Sequence, residues 1–454
     1  MITEPSLEYR ELVSERIRQA LKMGQWQDAV ALLQHLHPAD RTEVFEELSP
    51  EEQQALIQHL GVENLAELLE WLDEEEAAEI AQGLDTAQLA DVLDEMDPDE
   101  AADLLGDLRP EQARQALAEM EEAEEVRPLL GYPDETAGGL MTTAYVALPR
   151  SATLEEAIAF LRSIDPDTDI PNYLYVIDEN QRLVGVVSLA DLLRTTPQTR
   201  LEEVMDPKVI YVTADTDQEE AARIMSKYDL SAVPVVDNRQ HLVGVITFDD
   251  LVEVLEEEAT EDIYHLASVS DEDLDPESPL PEQIKGRLPW LYLNTLTALF
   301  ASWVISNFEH IIAQAAVLAL FQSVVAGQGG NTASQNVAMT VRSLALGKIS
   351  PKNLLRILVK QFLAGLALGL LVGSMVGLGV YFWRGNLYLS LVLGSALVAN
   401  LALGAVMGVL VPLALKAAGA DPALASSILV TAVTDSAGFF IFLSLASRVL
   451  DHLK

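Results

Sequence analysis

The chain has no cysteine among its 454 residues, and this absence removes several kinds of chemistry at once. Without thiols it can form no disulfide, no thiolate zinc site, no iron–sulfur cluster and no cysteine nucleophile. Basic residues are also few, with 28 lysines and arginines against 71 acids, which leaves a net charge of −43. Because nucleic-acid binding requires a basic face, we exclude nucleic acid as a partner of the acidic part.

The charge is divided very unevenly along the chain. From Leu288 onward four acids accompany nine bases, a net of +5, whereas residues 1–287 hold 67 acids and 19 bases, a net of −48. The N-terminus has neither the basic start nor the apolar core of a signal peptide, so we expect the acidic part to stay in the cytoplasm.

Catalytic motifs are lacking as well. The chain contains no Walker-type phosphate loop and no cofactor motif, and its seven histidines suggest no Ser-His-Asp arrangement. The sequence therefore predicts a protein that is not an enzyme.

Five apolar stretches fill the last third of the chain, and each is long enough to cross roughly 30 Å of hydrocarbon as a helix. We expect the Gly327–Asn331 segment to interrupt the second stretch. With the N-terminus inside, most of the flanking basic residues lie at the inner ends, which favours that orientation. An odd number of spans suggests a symmetric dimer around one pore. The stretches lie at about 289–308, 311–340, 359–383, 387–414 and 423–448.

Polar residues within these stretches are few and grouped. Asp435 lies in the middle of the last one, and Thr431 and Thr434 share its helix face. An intramembrane carboxylate tends to line an aqueous path, although it can also be a hydrogen-bonded structural residue. Four amide side chains could share the same lumen, or could instead join helices by hydrogen bonds. They are Asn331, Gln335, Asn336 and Asn400.

Neutral oxygens around one carboxylate suit a hydrated hard cation, and Mg²⁺ in particular keeps several waters. His310 is the only histidine between Leu288 and Val449, so we do not expect an imidazole site for a transition metal in the pore.

The first part of the chain repeats a leucine or methionine at a constant short interval without a slip. Helix-start signals such as Ser49-Pro50 and Asp97-Pro98 follow several of these positions. Each unit thus predicts one short helix and a turn, and such units must stack into a superhelix to bury a face. The recurring positions are Leu36, Leu48, Leu60, Leu72, Leu84, Met96, Leu108 and Met120.

A second repeat, of another type, occupies residues of about 140–255. Asp178 and Asp237 hold matching positions in its two copies, and Gly185 and Gly244 match at the same separation. Each copy predicts a helix, a strand, a tight turn, a second strand and a capped helix. This pattern resembles a tandem pair of CBS domains, which generally regulate, often by binding adenine nucleotides, and do not catalyse.

An acidic helix over Leu251–Val269 is expected to connect this pair to the membrane, either as a working part or as an exposed linker. The acid- and proline-rich segment Asp271–Pro281 after it predicts a flexible hinge.

The order of these parts resembles the whole architecture of the MgtE magnesium transporters. Motifs such as Glu135-Thr-Ala-Gly-Gly139 and Glu258-Ala-Thr-Glu261-Asp262 agree with it. The resemblance implies a multidomain membrane protein with an N-terminal α-helical superhelix, an α/β CBS-domain pair, a connecting helix and a five-helix α transmembrane domain. We place these parts at residues 1–135, 136–252 (divided at about 200), 253–281 and 282–454.

The resemblance further implies a Mg²⁺-selective homodimeric channel in the plasma (inner) membrane, with its N-terminus in the cytoplasm, that cytosolic Mg²⁺ closes. Mg²⁺ is then both the substrate and the gating ligand, and the lipid bilayer is the other partner. The pore residues assigned on this basis are Asp435, Asn331 and Thr434. The sensor residues carried over by local motif are Glu67, Asp99, Asp103, Gly139 and Ser226 (through their carbonyls), Asp217, Asp229, Asp250, Glu258, Glu261, Asp262 and Asp421.

A nucleotide site is also suggested by the resemblance. Tyr173 and Asp191 match positions of ATP-binding relatives, but Ala190 and Leu230 stand where those relatives have an arginine and an aromatic residue. ATP is therefore a doubtful ligand of this pair.

Two other functions were weighed. A transporter of anions or organic acids would favour a basic lumen, and none is visible in the spans. A membrane-anchored sensor without transport would need neither Asp435 nor an interrupted second span. Transport of Mg²⁺ down its electrochemical gradient is the function that uses both features.

Overall fold

The structure, a computed structural model, describes residues 7–164, 173–270, 274, 276, 278–424 and 426–453. The chain forms two compact units, Met1–Val254 and Leu255–Lys454. Part of the hinge expected at Asp271–Pro281 lies outside the described residues.

The first unit begins with the helical repeat, and its predicted fold is confirmed. From the second to the ninth helix, the helix starts recur at the constant interval of the sequence repeat. The helices are α1 Leu7–Lys22, α2 Trp26–Gln34, α3 Pro38–Glu46, α4 Pro50–Ile57, α5 Val62–Glu70, α6 Glu74–Gln82, α7 Thr86–Glu95, α8 Pro98–Asp107, α9 Pro110–Glu119 and α10 Ala123–Val126.

Turn chemistry and stacking explain this regularity. Proline opens α3, α4, α8 and α9, where its missing N–H costs nothing, and the Asp85 carboxylate accepts from the Gln88 backbone N–H (3.0 Å) to cap α7. From α5 onward the helices pack chiefly on the next but one, as α5 does on α7, α7 on α9 and α6 on α8, whereas α1 packs chiefly on α2. Six of the eight recurring leucines and methionines are buried between these rows.

Two three-stranded sheets follow, and they confirm the CBS-like repeat. In each sheet the first strand is parallel to the second, and the second is antiparallel to the third. Tyr175 pairs with Val186, and Pro234 pairs with Val245, so the second register repeats the first at the interval seen in the sequence. The strands are β1 Ala147–Pro149, β2 Tyr173–Ile177, β3 Leu183–Ser188, β4 Val212–Thr213, β5 Ala232–Val236 and β6 Leu242–Thr247.

The two copies exchange their opening segments. Thr142, at the start of the first copy, bridges to Val245 on β6, and Asp206, at the start of the second, bridges to Val186 on β3. Met141 accordingly packs on Gly244, because a Cβ atom added to Gly244 would lie 2.5 Å from the Met141 sulfur. The helices of this pair are α11 Leu154–Leu161, α12 Leu189–Arg194, α13 Leu201–Val204 and α14 Gln218–Tyr228.

The connecting helix is confirmed as one continuous helix that begins a few residues earlier than predicted. The long helices of the second unit follow it, together with a short helix and a 3₁₀ turn over Ala316–Phe321. The bounds are α15 Phe248–Leu266, α16 Leu280–Ser306, α17 Glu309–Gln314, α18 Gln322–Ala345, α19 Leu354–Arg384, α20 Leu387–Ala417 and α21 Ser426–Arg448.

Of these helices, α16, α19, α20 and α21 are long and apolar enough to cross a membrane, which supports the expected five spans only in part. The remaining long helix, α18, is more polar and packs against α20 and α21.

The expected interruption of the second span was wrong. Residues 327–331 lie within the continuous helix α18, and the break falls earlier, at the 3₁₀ turn. At Gly329 another helix comes close, because a Cβ there would overlap the Asn400 side chain, whereas a Cβ on Gly330 would make an ordinary contact with Thr431 at 3.7 Å. A helical glycine run in a membrane protein often marks such an approach.

Glycine also sets the contact between α19 and α20. A Cβ on Gly365, Gly369 or Gly373 would lie within 2.9 Å of the α20 backbone. These three glycines therefore let the backbones of α19 and α20 lie closer together than any larger residue would permit.

We predict that Gly369→Val separates these helices, because its nearest neighbour would be the Val398 Cα at 2.7 Å from the new Cβ. Overpacking of this kind costs about 1–3 kcal/mol or more. Gly379→Val on the same helix is the matched control, since nothing lies within 4 Å of its Cβ position. The measurement is the thermal midpoint of the detergent-solubilised protein. Equal midpoints for the two variants would contradict the close contact.

Candidate functional site

Acidic side chains of the helical repeat and the CBS pair meet within the first unit. Asp99 on α8 and Asp250 near the start of α15 are close enough that their repulsion helps to raise the pKa of Asp99. Glu253, one turn beyond Asp250, acts in the same way on Glu100. We call Glu70, Asp99, Glu100, Asp103 and Asp250 the α8 cluster.

Asp99 is the member of the α8 cluster with the least favourable environment. Burial, and then repulsion from Asp250, raise its pKa to about 7, although a hydrogen bond with Thr142 opposes the shift. Its Oδ1 atom is buried and accepts no hydrogen bond within the part of the chain that the structure describes. A buried carboxylate oxygen without a donor is costly, and a cation would remove that cost.

The other members show the same pattern. Burial and neighbouring acids raise the pKa of Glu100 to about 9 and that of Asp103 to about 8. Burial raises the pKa of Glu70 to about 7, and that of Asp250 to about 6. Water still reaches Glu100 and Asp103, whose side chains are exposed, and weakens the repulsion there. The strongest charge interactions that raise these pKa values come from other acids, so the cluster suits a bound cation.

Sequence reasoning selected Glu67 on α5 but not Glu70. Glu67 forms an ion pair with the buried Arg41 (2.6 Å), which leaves it poorly placed to hold a metal ion. Glu70, three residues on, accepts from the backbone N–H of Asp97 (2.9 Å), and its charge helps to raise the pKa of Glu100. The sequence repeat did contain a signal for Glu70. Asp94 holds the equivalent position two repeat units later, and it likewise accepts a hydrogen bond from a backbone N–H 27 residues further along the chain.

Two further predicted sensor residues come together in a backbone turn. Thr136 forms a bridge with Asp217, and the Gly138 N–H donates to the Ala214 carbonyl (2.9 Å), so the segment around Gly139 lies along the start of α14. Asp217 caps that helix by accepting from the Glu219 N–H (3.1 Å). Gly139 permits this turn, because a Cβ there would overlap the Asp134 backbone.

The remaining predicted sensor residues lie on α14 and α15 or next to them. Ser226 and Asp229 are exposed, and Asp229 ends α14 in a left-handed conformation (φ 55°). Glu258 and Asp262 lie on α15, and both belong to the second unit.

Within the second unit, Glu261 and Asp421 are both found beside His265. The His265 Nδ1 atom lies 2.8 Å from Asp421 Oδ2 and 3.3 Å from Glu261 Oε1. The imidazole was not selected from the sequence, because its partner Asp421 lies 156 residues away.

The predicted pore residues lie on α18 and α21, which pack against each other. Asp435 is partly exposed and Asn331 is exposed. Thr434 is fully buried, and its hydroxyl donates to the Val430 carbonyl (2.9 Å) of its own helix. In this arrangement Thr434 is therefore not available as an ion ligand.

Of the four amides considered for the lumen, two serve the helix packing instead. Asn336 donates to the Ala405 carbonyl (2.7 Å), and the fully buried Asn400 donates to the Val325 carbonyl (2.8 Å). Both bonds tie α18 to α20, which was the alternative weighed from the sequence. Gln335 is exposed.

The two suggested nucleotide residues lie at the same end of the first hairpin, because Tyr173 at the start of β2 pairs with Ser188 at the end of β3, and Asp191 follows Ser188 on α12. Tyr173 begins β2 and is partly buried, while Asp191 is exposed and accepts from the Ser188 hydroxyl (2.6 Å) at the start of α12. The Ala190 side chain is exposed, and Leu230 is partly buried.

Apolar helices together with a CBS pair define the class as a helical membrane protein with a CBS module. Family models match this chain as the MgtE intracellular N domain over residues 16–135, as CBS domains over 137–196 and 201–257, and as a divalent cation transporter over 322–445. The magnesium transporter MgtE of Thermus thermophilus is 40% identical over 328 residues, which is 72% of this chain and 73% of the relative. The chain therefore belongs to the MgtE family of magnesium transporters.

Further relatives agree with this assignment. The magnesium transporter MgtE of Bacillus subtilis is 34% identical over 335 residues, 74% of each chain. A crystal structure of the cytosolic domain of the Mg²⁺ channel MgtE in complex with ATP is 39% identical, with a TM-score of 0.51 over 53% of this chain and 99% of that one. The soluble part of a magnesium transporter matches at 32% identity, with a TM-score of 0.50 over 55% of this chain and 99% of that chain.

We predict that the α8 cluster makes the protein less stable as the pH rises when divalent cations are removed. Because the folded pKa values of Asp99 and Asp250 are raised, the stability they contribute is present below about pH 4 and is lost as the pH rises through 6 to 7. For Asp99 the loss is on the order of 2 kcal/mol after screening by water.

The measurement is the thermal midpoint of the full chain in detergent with EDTA at pH values from 5 to 9. Asp99→Asn should flatten the pH dependence. Asp91→Asn on α7, an exposed residue, is the control and should keep the wild-type slope. A wild-type slope in Asp99→Asn would contradict the assignment of repulsion to this cluster.

Proposed function

We propose that this chain is one subunit of a homodimeric Mg²⁺ channel in the plasma (inner) membrane, with its N-terminus in the cytoplasm. Cytosolic Mg²⁺ closes the channel by binding among the carboxylates of the helical repeat, the CBS pair and the connecting helix. The observation that carries the gating part is the α8 cluster, in which a buried oxygen of Asp99, repelled by Asp250, has no donor among the described residues.

The α8 cluster supports gating because a ligand must distinguish two arrangements in order to shift their populations. With Mg²⁺ between Asp99 and Asp250, the helical repeat and the CBS pair are held together. Without Mg²⁺, the same charges repel, and residues 1–287 carry a net charge of −48 that favours separation. Mg²⁺ therefore binds the closed arrangement better, which is the requirement for allosteric coupling.

The connecting helix α15 carries this change toward the membrane. It starts at Phe248, contains Asp250 in its first turn and continues without a break to Leu266. At the far end of α15, the Leu266 carbonyl accepts from the Ser427 hydroxyl (3.0 Å). Ser427 lies on α21, one helical turn before Thr431 and two turns before Asp435. A shift of α15 would thus act on α21, the helix that carries the pore aspartate.

The pore is proposed to hold a hydrated Mg²⁺ at Asp435. Mg²⁺ dehydrates reluctantly and binds one or two carboxylates while keeping most of its waters. One partly exposed carboxylate per subunit, with the exposed amide of Asn331 on the neighbouring helix, fits such an ion. A homodimer would bring two Asp435 carboxylates to one axis.

ATP is not part of this proposal. A relative's cytosolic domain was crystallised with ATP. This chain, however, has Ala190 and Leu230 at the two positions where the resemblance implies an arginine and an aromatic residue for ATP binding.

We expect Asp435→Ala to reduce Mg²⁺ flux into liposomes to the level of protein-free vesicles, because no other carboxylate of α18 to α21 replaces it. Glu309→Ala is the control, since Glu309 is an exposed acid at the start of α17. Flux is measured with a Mg²⁺-sensitive dye trapped inside the vesicles. Undiminished flux through Asp435→Ala would refute the pore assignment.

Gating is tested with the double variant Asp99→Asn, Asp250→Asn in the same liposomes. The Mg²⁺ concentration at which the flux is halved should rise at least about tenfold when two of the proposed ligands are removed. A change of this size is within the usual range of allosteric coupling. Mg²⁺ is varied on the side of the soluble part. Glu119→Gln, an exposed residue on α9, should close as wild type does. Normal closure of the double variant would place the sensor elsewhere.

A further inference from the structure

Three potential metal ligands meet at the end of the connecting helix. Glu261 and His265 lie one turn apart on α15, and Asp421 lies in the turn between α20 and α21. One ligand atom from each of the three residues lies within 4.8 Å of the other two. The residues are only partly exposed, and the His265 side chain retains 14% of its surface.

The spacing of these atoms matches the coordination shell of one metal ion. Ligand atoms held at about 2.1 Å from an ion lie about 3.0 Å apart at right angles and about 3.4 Å apart at tetrahedral angles. The His265 Nδ1 atom is 2.8 Å from Asp421 Oδ2 and 3.3 Å from Glu261 Oε1. An ion could therefore enter with small side-chain movements.

Local hydrogen bonds hold the ligands in place. Asp421 accepts from the backbone N–H groups of Ala423 (3.0 Å) and Leu424 (2.8 Å), which orient its carboxylate. The Ser427 hydroxyl donates to the Leu266 carbonyl, next to His265, and so fixes the end of α15 against the start of α21. Preorganisation of this kind lowers the entropic cost of binding an ion.

The imidazole determines which ion the site prefers. Mg²⁺ takes oxygen ligands in near-octahedral geometry, whereas imidazole nitrogen suits first-row transition cations. We propose that Glu261, His265 and Asp421 bind a divalent first-row transition cation, such as Mn²⁺, Co²⁺, Ni²⁺ or Zn²⁺, in preference to Mg²⁺. The resemblance to MgtE proteins implied a Mg²⁺ sensor role for Glu261 and Asp421, but it assigned nothing to His265.

Such an ion joins α15 to the turn that precedes the pore helix α21. If the proposed gating holds, a bound transition cation would close the channel at a lower concentration than Mg²⁺ does. Only this consequence rests on the proposed gating. The binding itself stands on the donor set and the distances alone.

The test uses the full chain in detergent with Mn²⁺ as the probe, in millimolar Mg²⁺ to occupy oxygen-only sites. Pulsed electron paramagnetic resonance detects the coupling of bound Mn²⁺ to an imidazole nitrogen, a signal that a structural histidine does not produce. We expect this coupling in the wild-type protein and its loss in His265→Asn. The dissociation constant for Mn²⁺ should rise at least about tenfold, since the loss of even an outer-shell partner costs that much.

His241→Asn is the matched control. His241 also contacts an acid four residues away on the chain, Asp237 at 2.9 Å, and no second acid completes a site with it among the described residues. The coupling should persist in that variant. Asp421→Asn is a second variant, and it keeps the imidazole. It should also weaken Mn²⁺ binding, so the proposal can still be tested if the His265 variant fails to fold.

Two results would overturn the proposal: a wild-type protein without nitrogen coupling, or a His265→Asn variant with unchanged Mn²⁺ affinity. Failure of the proposed gating would look different. Mn²⁺ would bind with nitrogen coupling, but neither Mn²⁺ nor Mg²⁺ would reduce the flux.

Discussion

Repulsion between carboxylates that have been brought together by folding is the constraint on which the rest of this protein depends. The α8 cluster places Asp99 and Asp250 from two different modules close enough to raise the pKa of Asp99, and other acids supply the strongest charge interactions on its neighbours. An arrangement of this kind is favourable when a cation or bound protons neutralise the carboxylates. In the proposed gating, this cluster responds to the concentration of a divalent ion, and the continuous helix α15 contains Asp250.

The membrane unit meets a different requirement, because lipid provides no hydrophobic drive between helices. Close contact comes from glycines, which let α19 approach α20 and let α18 approach the buried Asn400. The polar side chains of α18 and α21 fall into two sets. Asn336 of α18 bonds to α20 and is used for packing, whereas Asn331 of α18 and Asp435 of α21 keep exposed surface.

Much of the fold could be predicted from the sequence because two repeats govern it. The short period of the first repeat, with Pro or Asp at the turns, leaves room for only one short helix per unit, and the helices α2 to α9 begin at that interval. The second repeat likewise predicted two sheets in the same register. The interruption in the second span was predicted wrongly, because a glycine run signals either a break or a close helix contact, and only the neighbouring helix distinguishes them.

By itself, the sequence determined the order of the modules and the residue types available for holding a hard cation, since these depend on composition and periodicity, and its motifs carried the resemblance to the family. Only the tertiary structure decided which acids act together. Glu67 and Glu70 lie three residues apart, and one is paired with Arg41 while the other turns toward Asp97 and Glu100. His265 and Asp421 are 156 residues apart and meet at 2.8 Å. Contacts of this range arise from how helices pack, which local patterns do not encode.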